Sequence, residues 1–441
     1  MVADPYAALR ALLAAGHHAR PEDLPALSMQ VAATVDAAAI VLYVVDYAQL
    51  MLVPLRGPTT PVREEIPVDG TVPGRVYATG NPHVSTDPHR VWLPLIDGTE
   101  RLGVLELVSR RPARRRRRAD DVLLASMFAE LIGARGVYGD AIERARRREP
   151  MQVAAEIVWS LLPPLTFATS TVTVTGILEP CYDMGGDTFD YAIHGDVLHL
   201  AVFDALGHGM AASTLTAVAL SAYRNARRTG LDLLDTCKSV DKWITAMFPD
   251  RFVTATLAEL DTATGVLRLV CAGHPCGLLL RDGRHVKSLP GPTYTPLGLG
   301  LPGPAATVIE EVLQPGDQVL LYTDGVVEAR TGAGEFFGVD RLVGFVTRAL
   351  ADHLSAPETM RRLVHAILAH QHEQLQDDAT ALLIRWHPDT GATTHPTTES
   401  LSTPQHPAGI AARALGGAVH RLRAVLARRG KPTPESSSRR M

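Results

Sequence analysis

The chain has 441 residues, of which 46% are hydrophobic and 20% charged, and its formal net charge is −4. This length allows two or three domains, and the near balance of charge gives no general reason to expect nucleic-acid binding. No apolar stretch reaches the roughly 18 residues of a spanning helix, the N-terminus lacks a signal-peptide pattern, and four cysteines make no disulfide framework, so we expect a reduced, cytoplasmic protein.

The N-terminal part of the chain predicts one compact α/β unit over residues 24–138, after a short helical segment at residues 1–23. A strand is predicted over Ala37–Asp46, and a hairpin with an Asp-Gly turn over Arg90–Ser109. The Gly- and Pro-rich sequence between them indicates a loop with a short helix. Apolar residues at helical spacing over Leu124–Tyr138 predict a closing helix.

A run of arginines, Arg110–Arg118, precedes this closing helix. One interpretation is a patch that binds phosphate or a partner, and the other is a solvated connection between hairpin and helix. No aromatic residues are interleaved with the arginines, which favours the solvated connection.

The rest of the chain divides by composition. Residues 139–165 predict a helical connector, with a charged hinge at Glu143–Pro150 and a helix ended by Pro163-Pro164. Residues 166–387 alternate strands and helices. Residues 388–441 predict a disordered linker rich in Thr, Ser and Pro, and then a basic amphipathic tail that is either a membrane-surface or partner helix or a frayed end.

Aspartates recur at the ends of predicted strands in residues 166–387, and Asp187 and Asp324 directly adjoin glycines. The aspartates are Asp187, Asp204, Asp324, Asp377 and Asp378. A single such carboxylate is ordinarily a helix cap or turn residue, but several buried together need cations to stay ionised. Hard divalent ions take oxygen ligands, and two of them can activate a water for attack on phosphorus. The pattern therefore favours a hydrolytic phosphatase.

Collinear motifs extend this interpretation, among them EPCYDMGGDTFDY, DALGHGMAAS, RFVTATLAELDTATG, LLYTDGVVEAR and DDATALLI. With these motifs the chain resembles the sporulation and sigma-regulator branch of bacterial PPM-type (PP2C-like) serine/threonine phosphatases. The resemblance implies a C-terminal α-β-β-α sandwich of two antiparallel sheets flanked by helices. It also implies two Mn²⁺ or Mg²⁺ ions in a cleft at one end of the sandwich.

The resemblance assigns roles to the aspartates. Asp187 is expected to bind the first metal, and Asp204 to bridge both metals, with the backbone carbonyl of Ala205 as an adjacent ligand. Asp324 and Asp377 are expected to complete the set. Asp378 is a further metal-ligand candidate, at a position that is often Asn or Asp in this family. Because the aspartate set is intact, an inactive pseudophosphatase is not expected.

Two histidines near these motifs each have two alternative roles. His208 is either a general acid, as proposed in eukaryotic relatives, or a residue that shapes the metal loop, since two extra residues separate it from Asp204. His274 is either structural or functional. Glu328 is expected to serve a helix start or switch region and is not assigned to metal.

The N-terminal unit resembles a GAF sensor domain through AAAIVLYVVD, VPGRVYATGNPHVST and VWLPLIDGTERLGVLELV, in that order. GAF domains bind cyclic nucleotides, haem or other small molecules, or no ligand, and no residue here chooses among them. The connector, closed by Leu161-Leu162-Pro163, resembles those that link sensors to this phosphatase branch. That resemblance implies a homodimer formed through the connector.

Three functional hypotheses follow. The leading one is a metal-dependent protein phosphatase, regulated by the GAF-like sensor, whose implied substrate is a phosphorylated anti-sigma-factor antagonist of the STAS type. The alternative is a ligand-binding signalling module whose phosphatase domain acts mainly as a docking partner. Nucleic-acid binding through Arg114–Arg118 and the basic tail is least favoured, so no nucleic-acid partner is expected.

Overall fold

The computed structural model describes residues 5–112, 118–183, 185–300, 306–332, 334–352, 354–371 and 377–388. The predicted linker and basic tail lie outside these ranges, as does most of the Arg114–Arg118 run. Among the helices in these ranges, none is long and apolar enough to cross a membrane.

A six-stranded antiparallel sheet is built from residues 37–109. Its strands are β1 (Ala37–Val45), β2 (Met51–Pro54), β3 (Ile66–Pro67), β4 (His83–Val84), β5 (Arg90–Asp97) and β6 (Glu100–Ser109), in the spatial order β3-β2-β1-β6-β5-β4. The helices around it are α1 (Pro5–Gly16), α2 (Leu24–Thr34), α3 (Val72–Thr79) and α4 (Arg118–Gly136), with a 3₁₀ turn at Pro21–Asp23.

Both faces of this sheet are covered, which explains the continuous apolar run of β1. Ile40 and Leu42 pack beneath α1, α2 and α4, whereas Val41 and Tyr43 pack beneath α3. The predicted strand, hairpin and short helix are confirmed. The closing helix ends at Gly136, so the predicted helical stripe was too long: Tyr138 lies beyond it and is exposed.

The connector contains two helices, α5 (Ala141–Arg146) and α6 (Val153–Leu161). Helix α6 ends just before Pro163-Pro164, as predicted, because a proline restricts the residue before it to extended backbone. Its buried residues include Ala155 and Val158, which pack against the core of the next region.

Two antiparallel sheets follow. Their strands are β7 (Thr166–Ala168), β8 (Val172–Glu179), β9 (Gly185–His194), β10 (Val197–His208), β11 (Val253–Asp261), β12 (Val266–Ala272), β13 (Leu278–Arg281), β14 (Arg284–Ser288), β15 (Ile309–Val312), β16 (Gln318–Tyr322) and β17 (Ala379–Trp386). One sheet has the order β15-β12-β11-β10-β9 and the other β14-β13-β16-β17-β8-β7. The helices are α7 (Gly209–Arg228), α8 (Leu233–Met247), α9 (Asp324–Val327), α10 (Gly338–Ala351) and α11 (Ala356–His370).

Alternating burial along the strands produces the layers of this sandwich. On β10, Leu200 and Val202 face the opposite sheet, whereas Ala201 and Phe203 face α7 and α8. Strand β17 alternates in the same way between the inner core and α10 and α11. The predicted α-β-β-α architecture of the C-terminal half is confirmed.

A buried charged cluster joins the N-terminal sheet to the sandwich. Arg361 of α11 is 2% exposed and donates hydrogen bonds to Asp69 (2.6 Å) and to Glu358 (2.9 Å). Arg101 of β6 lies 3.5 Å from the same Glu358 carboxylate. The predicted domain boundaries at residues 138 and 165 stay predictions, since both regions share one compact unit.

The cysteines differ from the expectation of reduced thiols. Cys271 and Cys276 form a disulfide with a Cα–Cα distance of 5.5 Å, and Cys181 and Cys237 are free and buried. The chain reverses directly after β12, which brings the two positions within disulfide range. A count of cysteines could not show this local reversal.

Candidate metal centre

The five predicted aspartates meet at one end of the sandwich. Asp187 and Asp204 face each other across the β9–β10 pair. Asp324 follows β16, and Asp377-Asp378 precede its antiparallel neighbour β17, so the two junctions are adjacent. Four of the five aspartates line a cleft of about 500 Å³, together with Asp183, Ala205, Gly207, His208 and Thr254, whereas Asp187 is not among the lining residues.

Asp187 is the deepest of these carboxylates, at 3% exposure. Burial, followed by the nearby charges of Asp204 and Asp378, raises the pKa of its side chain well above the usual range. The hydroxyl of Thr323 donates a hydrogen bond to Asp187 Oδ2 at 2.6 Å and accepts one from the backbone N–H of Thr380. Asp187 is therefore held in a fixed orientation from the opposite sheet.

Asp204 lies at the centre of the charged group. Burial raises its pKa to about 7, and the charges of Asp324 and Asp377 add to this effect. The hydroxyl of Thr254 donates a hydrogen bond to Asp204 Oδ2 at 3.2 Å, and this hydrogen bond offsets the rise in pKa only in part. The carboxylate of Asp204 thus retains a strong tendency to bind a proton or another cation.

Asp378 stabilises the start of β9 by hydrogen bonds. Its two carboxylate oxygens accept hydrogen bonds from the backbone N–H groups of Gly185 (2.9 Å) and Asp187 (3.2 Å). Burial raises its pKa to about 6 although these hydrogen bonds favour the ionised form. Because both oxygens are engaged with backbone, the first role of Asp378 is to position Asp187. Direct metal binding by Asp378 stays a prediction.

Two glycines allow backbone segments to approach closely here. A Cβ atom at Gly186 would lie 2.3 Å from the carbonyl oxygen of Ala205, and one at Gly325 would lie 1.8 Å from the carbonyl oxygen of Asp378. Neither position can carry a side chain without displacing the backbone. The glycines beside the aspartates are therefore required by the packing of the cleft.

His208 is exposed, lines the cleft and immediately precedes α7. In the β9–β10 ladder, Asp204 pairs with Asp187 but His208 pairs with Gly185, so a bulge absorbs the two extra residues seen in the sequence. Burial raises the pKa of Asp377, and the charge of His208 acts in the opposite direction. His208 therefore interacts electrostatically with Asp377. The structure does not decide between its two predicted roles.

His274 has the contacts of a structural residue. It is 1% exposed, and its Nδ1 lies 2.9 Å from the carbonyl oxygen of Pro275 and 3.3 Å from the hydroxyl of Thr256. Burial lowers its pKa, so the neutral imidazole is favoured. It is not among the residues that line the cleft.

The chemistry of the cleft fits divalent cations. In the part of the chain that the structure describes, no lysine or arginine forms an ion pair with the five aspartates. Carboxylate and carbonyl oxygens are the ligands that Mg²⁺ and Mn²⁺ prefer. No three described His, Cys, Asp or Glu side chains are already close enough to hold an ion, so binding requires side-chain adjustment.

Three residues of the site were missed from the sequence. Thr323 directly precedes Asp324 in the YTDG motif, and this adjacency was the available signal. Asp183 lines the cleft just before the Gly-Gly pair. Thr254 faces Asp204 across the β10–β11 pair, a contact that only strand register reveals.

Known proteins share this domain. Residues 194–387 match the family model described as Stage II sporulation protein E (SpoIIE). The chain is 21% identical over 241 residues to "Phosphoserine phosphatase RsbU" of Bacillus subtilis, covering 54% of this chain and 70% of RsbU. It is 23% identical over 277 residues to "Protein IcfG" of Synechocystis, covering 56% of this chain and 42% of IcfG. The SiaA-PP2C domain of Pseudomonas aeruginosa is similar with a TM-score of 0.44 and 23% identity, over 58% of this chain and 99% of that chain.

The family-model match and the homology to RsbU show that this chain contains a protein serine/threonine phosphatase domain of the PP2C class. Within that class, the chain carries a SpoIIE-type phosphatase domain homologous to RsbU. The family resemblance inferred from the motifs is thereby confirmed. The match begins at His194 and so includes Asp204, Asp324 and Asp377 but not Asp187. The GAF-like assignment of the N-terminal unit stays a prediction.

Proposed function

We propose that this chain hydrolyses phosphoserine or phosphothreonine on a regulatory protein in a reaction that depends on divalent metal ions. The observation that carries the proposal is a set of five aspartates, four lining an open cleft of about 500 Å³ and Asp187 buried opposite Asp204, without a basic partner in the described ranges. An open cleft of this kind admits a phosphorylated side chain that a second protein presents.

The residues proposed to hold two Mn²⁺ or Mg²⁺ ions are Asp187, Asp204, Asp324, Asp377 and, through its carbonyl oxygen, Ala205. When bound, the ions supply a water of lowered pKa and positive charge next to the phosphate oxygens. The chain itself contributes orientation: Thr323 and Thr254 fix two of the carboxylates by hydrogen bonds. Asp378 holds the strand on which Asp187 lies.

His208 is the candidate proton donor to the leaving serine oxygen, and the alternative is that it only shapes the loop. A proton donor matters most for a poor leaving group such as an alkoxide. In the His208→Gln variant, a donor role predicts a larger loss of kcat with a phosphoserine peptide than with p-nitrophenyl phosphate. A loop-shaping role predicts equal losses with both substrates.

The proposed substrate is a phosphorylated anti-sigma-factor antagonist of the STAS type. Support comes from the resemblance to the sigma-regulator branch and from the homology to the phosphoserine phosphatase RsbU. We also propose a cytoplasmic location, a GAF-like sensor with a small-molecule ligand, and a homodimer through residues 139–165.

Contacts between the connector and the active-site loop support regulation by the N-terminal region. The backbone N–H groups of Arg148 and Gln152 donate hydrogen bonds to the side-chain hydroxyl and the carbonyl oxygen of Tyr182, respectively. The indole N–H of Trp159 donates to the carbonyl oxygen of Cys181 at 2.9 Å. This loop continues into Asp183 and β9, so movement of the connector would reach the cleft.

The test is hydrolysis of p-nitrophenyl phosphate and a phosphoserine peptide by the full chain with Mn²⁺, Mg²⁺ or EDTA. We expect activity that needs the metal and falls more than about a hundredfold in Asp204→Ala, because loss of a ligand exceeds loss of its supporting hydrogen bonds. Asp196→Ala, at the far end of the same hairpin, is the matched control. Activity that survives Asp204→Ala would refute the proposal, and inactivity with every ion would favour the docking-module alternative.

A further inference from the structure

A second cavity, of about 140 Å³, lies between the N-terminal sheet and the phosphatase sandwich. Thr79 and Arg101 line it from the N-terminal side, and Gln318, Ser355 and Arg385 line it from the sandwich. It shares none of its lining residues with the metal cleft. The proposed function gives this cavity no role.

The sandwich wall of this cavity contains polar groups that lack partners. Thr173, Arg385 and Gln318 form one row across β8, β17 and β16 through their pairing register. The side chain of Arg385 makes no ion pair or hydrogen bond to any residue in the described ranges. Gln318 is 9% exposed, and its fully enclosed Oε1 accepts no hydrogen bond from those residues. The side-chain N–H₂ group of Gln318 also has no hydrogen-bond partner in the described ranges, but it is not enclosed, so it is the part of this amide that a ligand in the cavity can reach.

Positive charge surrounds the cavity. Arg101, with a side chain only 9% exposed, approaches it from β6 and shares the carboxylate of Glu358 with Arg361 and Arg362. Arg361 also pairs with Asp69, so two carboxylates face three guanidinium groups, and the cluster keeps one positive charge in excess. The 15-residue helix α11 also begins at the cavity, with Ser355 as its N-cap, and adds the positive end of its dipole.

Size and apolar lining restrict the ligand further. Ile96, Leu350 and Leu354 form apolar parts of the wall. A cavity of about 150 Å³ lined by such residues holds a molecule the size of benzene. The space therefore suits a single small ring or short chain and is too small for a nucleotide.

We propose that this interdomain cavity binds a small organic carboxylate with a compact apolar body. The carboxylate lies between Arg385 and Arg101, and the apolar body lies against Leu350 and Leu354. The side-chain N–H₂ group of Gln318 donates a hydrogen bond to the carboxylate.

The cavity is tied to the metal cleft by two strands. Gln318 begins β16, which leads to Asp324, and Arg385 lies near the end of β17, which begins after Asp378. At about 3.3 Å per residue, the six residues from Gln318 to Asp324 span about 20 Å. A ligand here therefore binds at the opposite ends of the strands that position the catalytic aspartates, without entering the metal cleft.

Benzoate and its neutral near-isostere benzamide are the probes, and isothermal titration calorimetry of the full chain in EDTA is the measurement. We expect saturable benzoate binding, with benzamide about tenfold weaker because it lacks the charge that the arginines recognise. Arg385→Gln and Gln318→Leu should each weaken benzoate about tenfold or more. Arg284→Gln, an exposed arginine on β14 of the same sheet, should leave binding unchanged.

Asp204→Asn should also leave benzoate binding unchanged, which separates this cavity from the metal cleft and makes the result independent of phosphatase activity. No saturation up to about 20 mM benzoate would overturn the proposal, since even millimolar affinity would show at that concentration. Equal affinity for both probes, or equal affinity of wild type and Arg385→Gln, would overturn it as well. Arg385 is exposed, so this variant decides the matter even if Gln318→Leu does not fold.

Discussion

Asp204→Asn should stabilise the metal-free protein and at the same time abolish its stabilisation by metal. The folded-state pKa of Asp204 is about 7 against an ordinary value of 3.8. Because the folded-state value is raised, the stability from this group is fully present below pH 4 and is lost as the pH rises through about 7. Asparagine cannot ionise and keeps an oxygen to accept the hydrogen bond from Thr254.

The size of the effect follows from the pKa difference. One pH unit corresponds to about 1.4 kcal/mol, so ionised Asp204 costs the metal-free fold at most about 4 kcal/mol above pH 7. Solvent screening in the open cleft reduces this to roughly 2 kcal/mol. Since 1 kcal/mol shifts Tm by about 2–4 °C for domains of roughly 150–250 residues, Asp204→Asn should raise Tm by about 4–8 °C at pH 8.

Differential scanning calorimetry of wild type and Asp204→Asn at pH 5 and pH 8, in EDTA and in Mn²⁺, measures both effects. In EDTA the variant should be more stable than wild type at pH 8, and at pH 5 this advantage should shrink to roughly 40% of its pH 8 value. In Mn²⁺ the wild type should gain stability, more at pH 8 than at pH 5, and the variant should gain little. The exposed turn residue Asp196, changed to Asn, is the control and should show neither effect.

A metal-free Asp204→Asn variant that unfolds at or below the wild-type Tm at pH 8 would refute this reasoning. It would mean that burial and the neighbouring carboxylates do not disfavour the ionised form of Asp204 in the folded protein. A full Mn²⁺ shift in the variant would refute the bridging role of Asp204 instead.

Three further predictions concern groups around the cleft and the interface. Arg361→Met should lower the free energy of unfolding by about 3–5 kcal/mol in urea denaturation, because it leaves the buried carboxylate of Glu358 without its main cation. Arg362 is a half-exposed partner of Glu358, so Arg362→Met should lower the free energy of unfolding by about 1 kcal/mol or less. Gly325→Ala should reduce kcat at least about tenfold, because its methyl group would lie 1.8 Å from the carbonyl oxygen of Asp378. Gly332→Ala is the control and should leave kcat unchanged, because no atom lies within 4 Å of the added methyl group. Thr323→Val should weaken Mn²⁺ affinity about 10–100-fold in a calorimetric titration, because it removes the hydroxyl that orients a predicted ligand.

Each of these predictions has a contradicting result. Equal destabilisation by the two arginine variants would show that burial does not govern the interface cluster. Full activity of Gly325→Ala would show that the loop can move without disturbing catalysis. Unchanged Mn²⁺ affinity in Thr323→Val would show that the hydroxyl does not orient the carboxylate for metal binding.

Local pattern was sufficient to predict much of this fold. The apolar run of β1, the hairpin of β5 and β6, and the strand that carries Asp204 all follow from residue type and spacing. The aspartates were predicted to converge because each follows or precedes a buried strand. Strand periodicity and turn chemistry involve neighbours in sequence, so they can be read without the fold.

What was missed depends on contacts between distant parts of the chain. Arg361 pairs with Asp69 across 292 residues, and Asp378 accepts hydrogen bonds from Gly185 across 193 residues. No local pattern marks either contact, because only the packing of two sheets brings the groups together. The enclosed amide of Gln318 was missed for the same reason, since its isolation exists only after the N-terminal sheet has packed on the sandwich.

Anomalous diffraction at the manganese edge, from crystals of the full chain grown with Mn²⁺, tests the central claim most directly. We expect two peaks about 3.5–4 Å apart in the cleft, both in contact with Asp204, with Asp187, Asp324 and Asp377 as further ligands. Wild-type crystals with no manganese in the cleft, or with manganese bound only at sites away from Asp204, would contradict the assignment of this domain as a metal-dependent phosphatase.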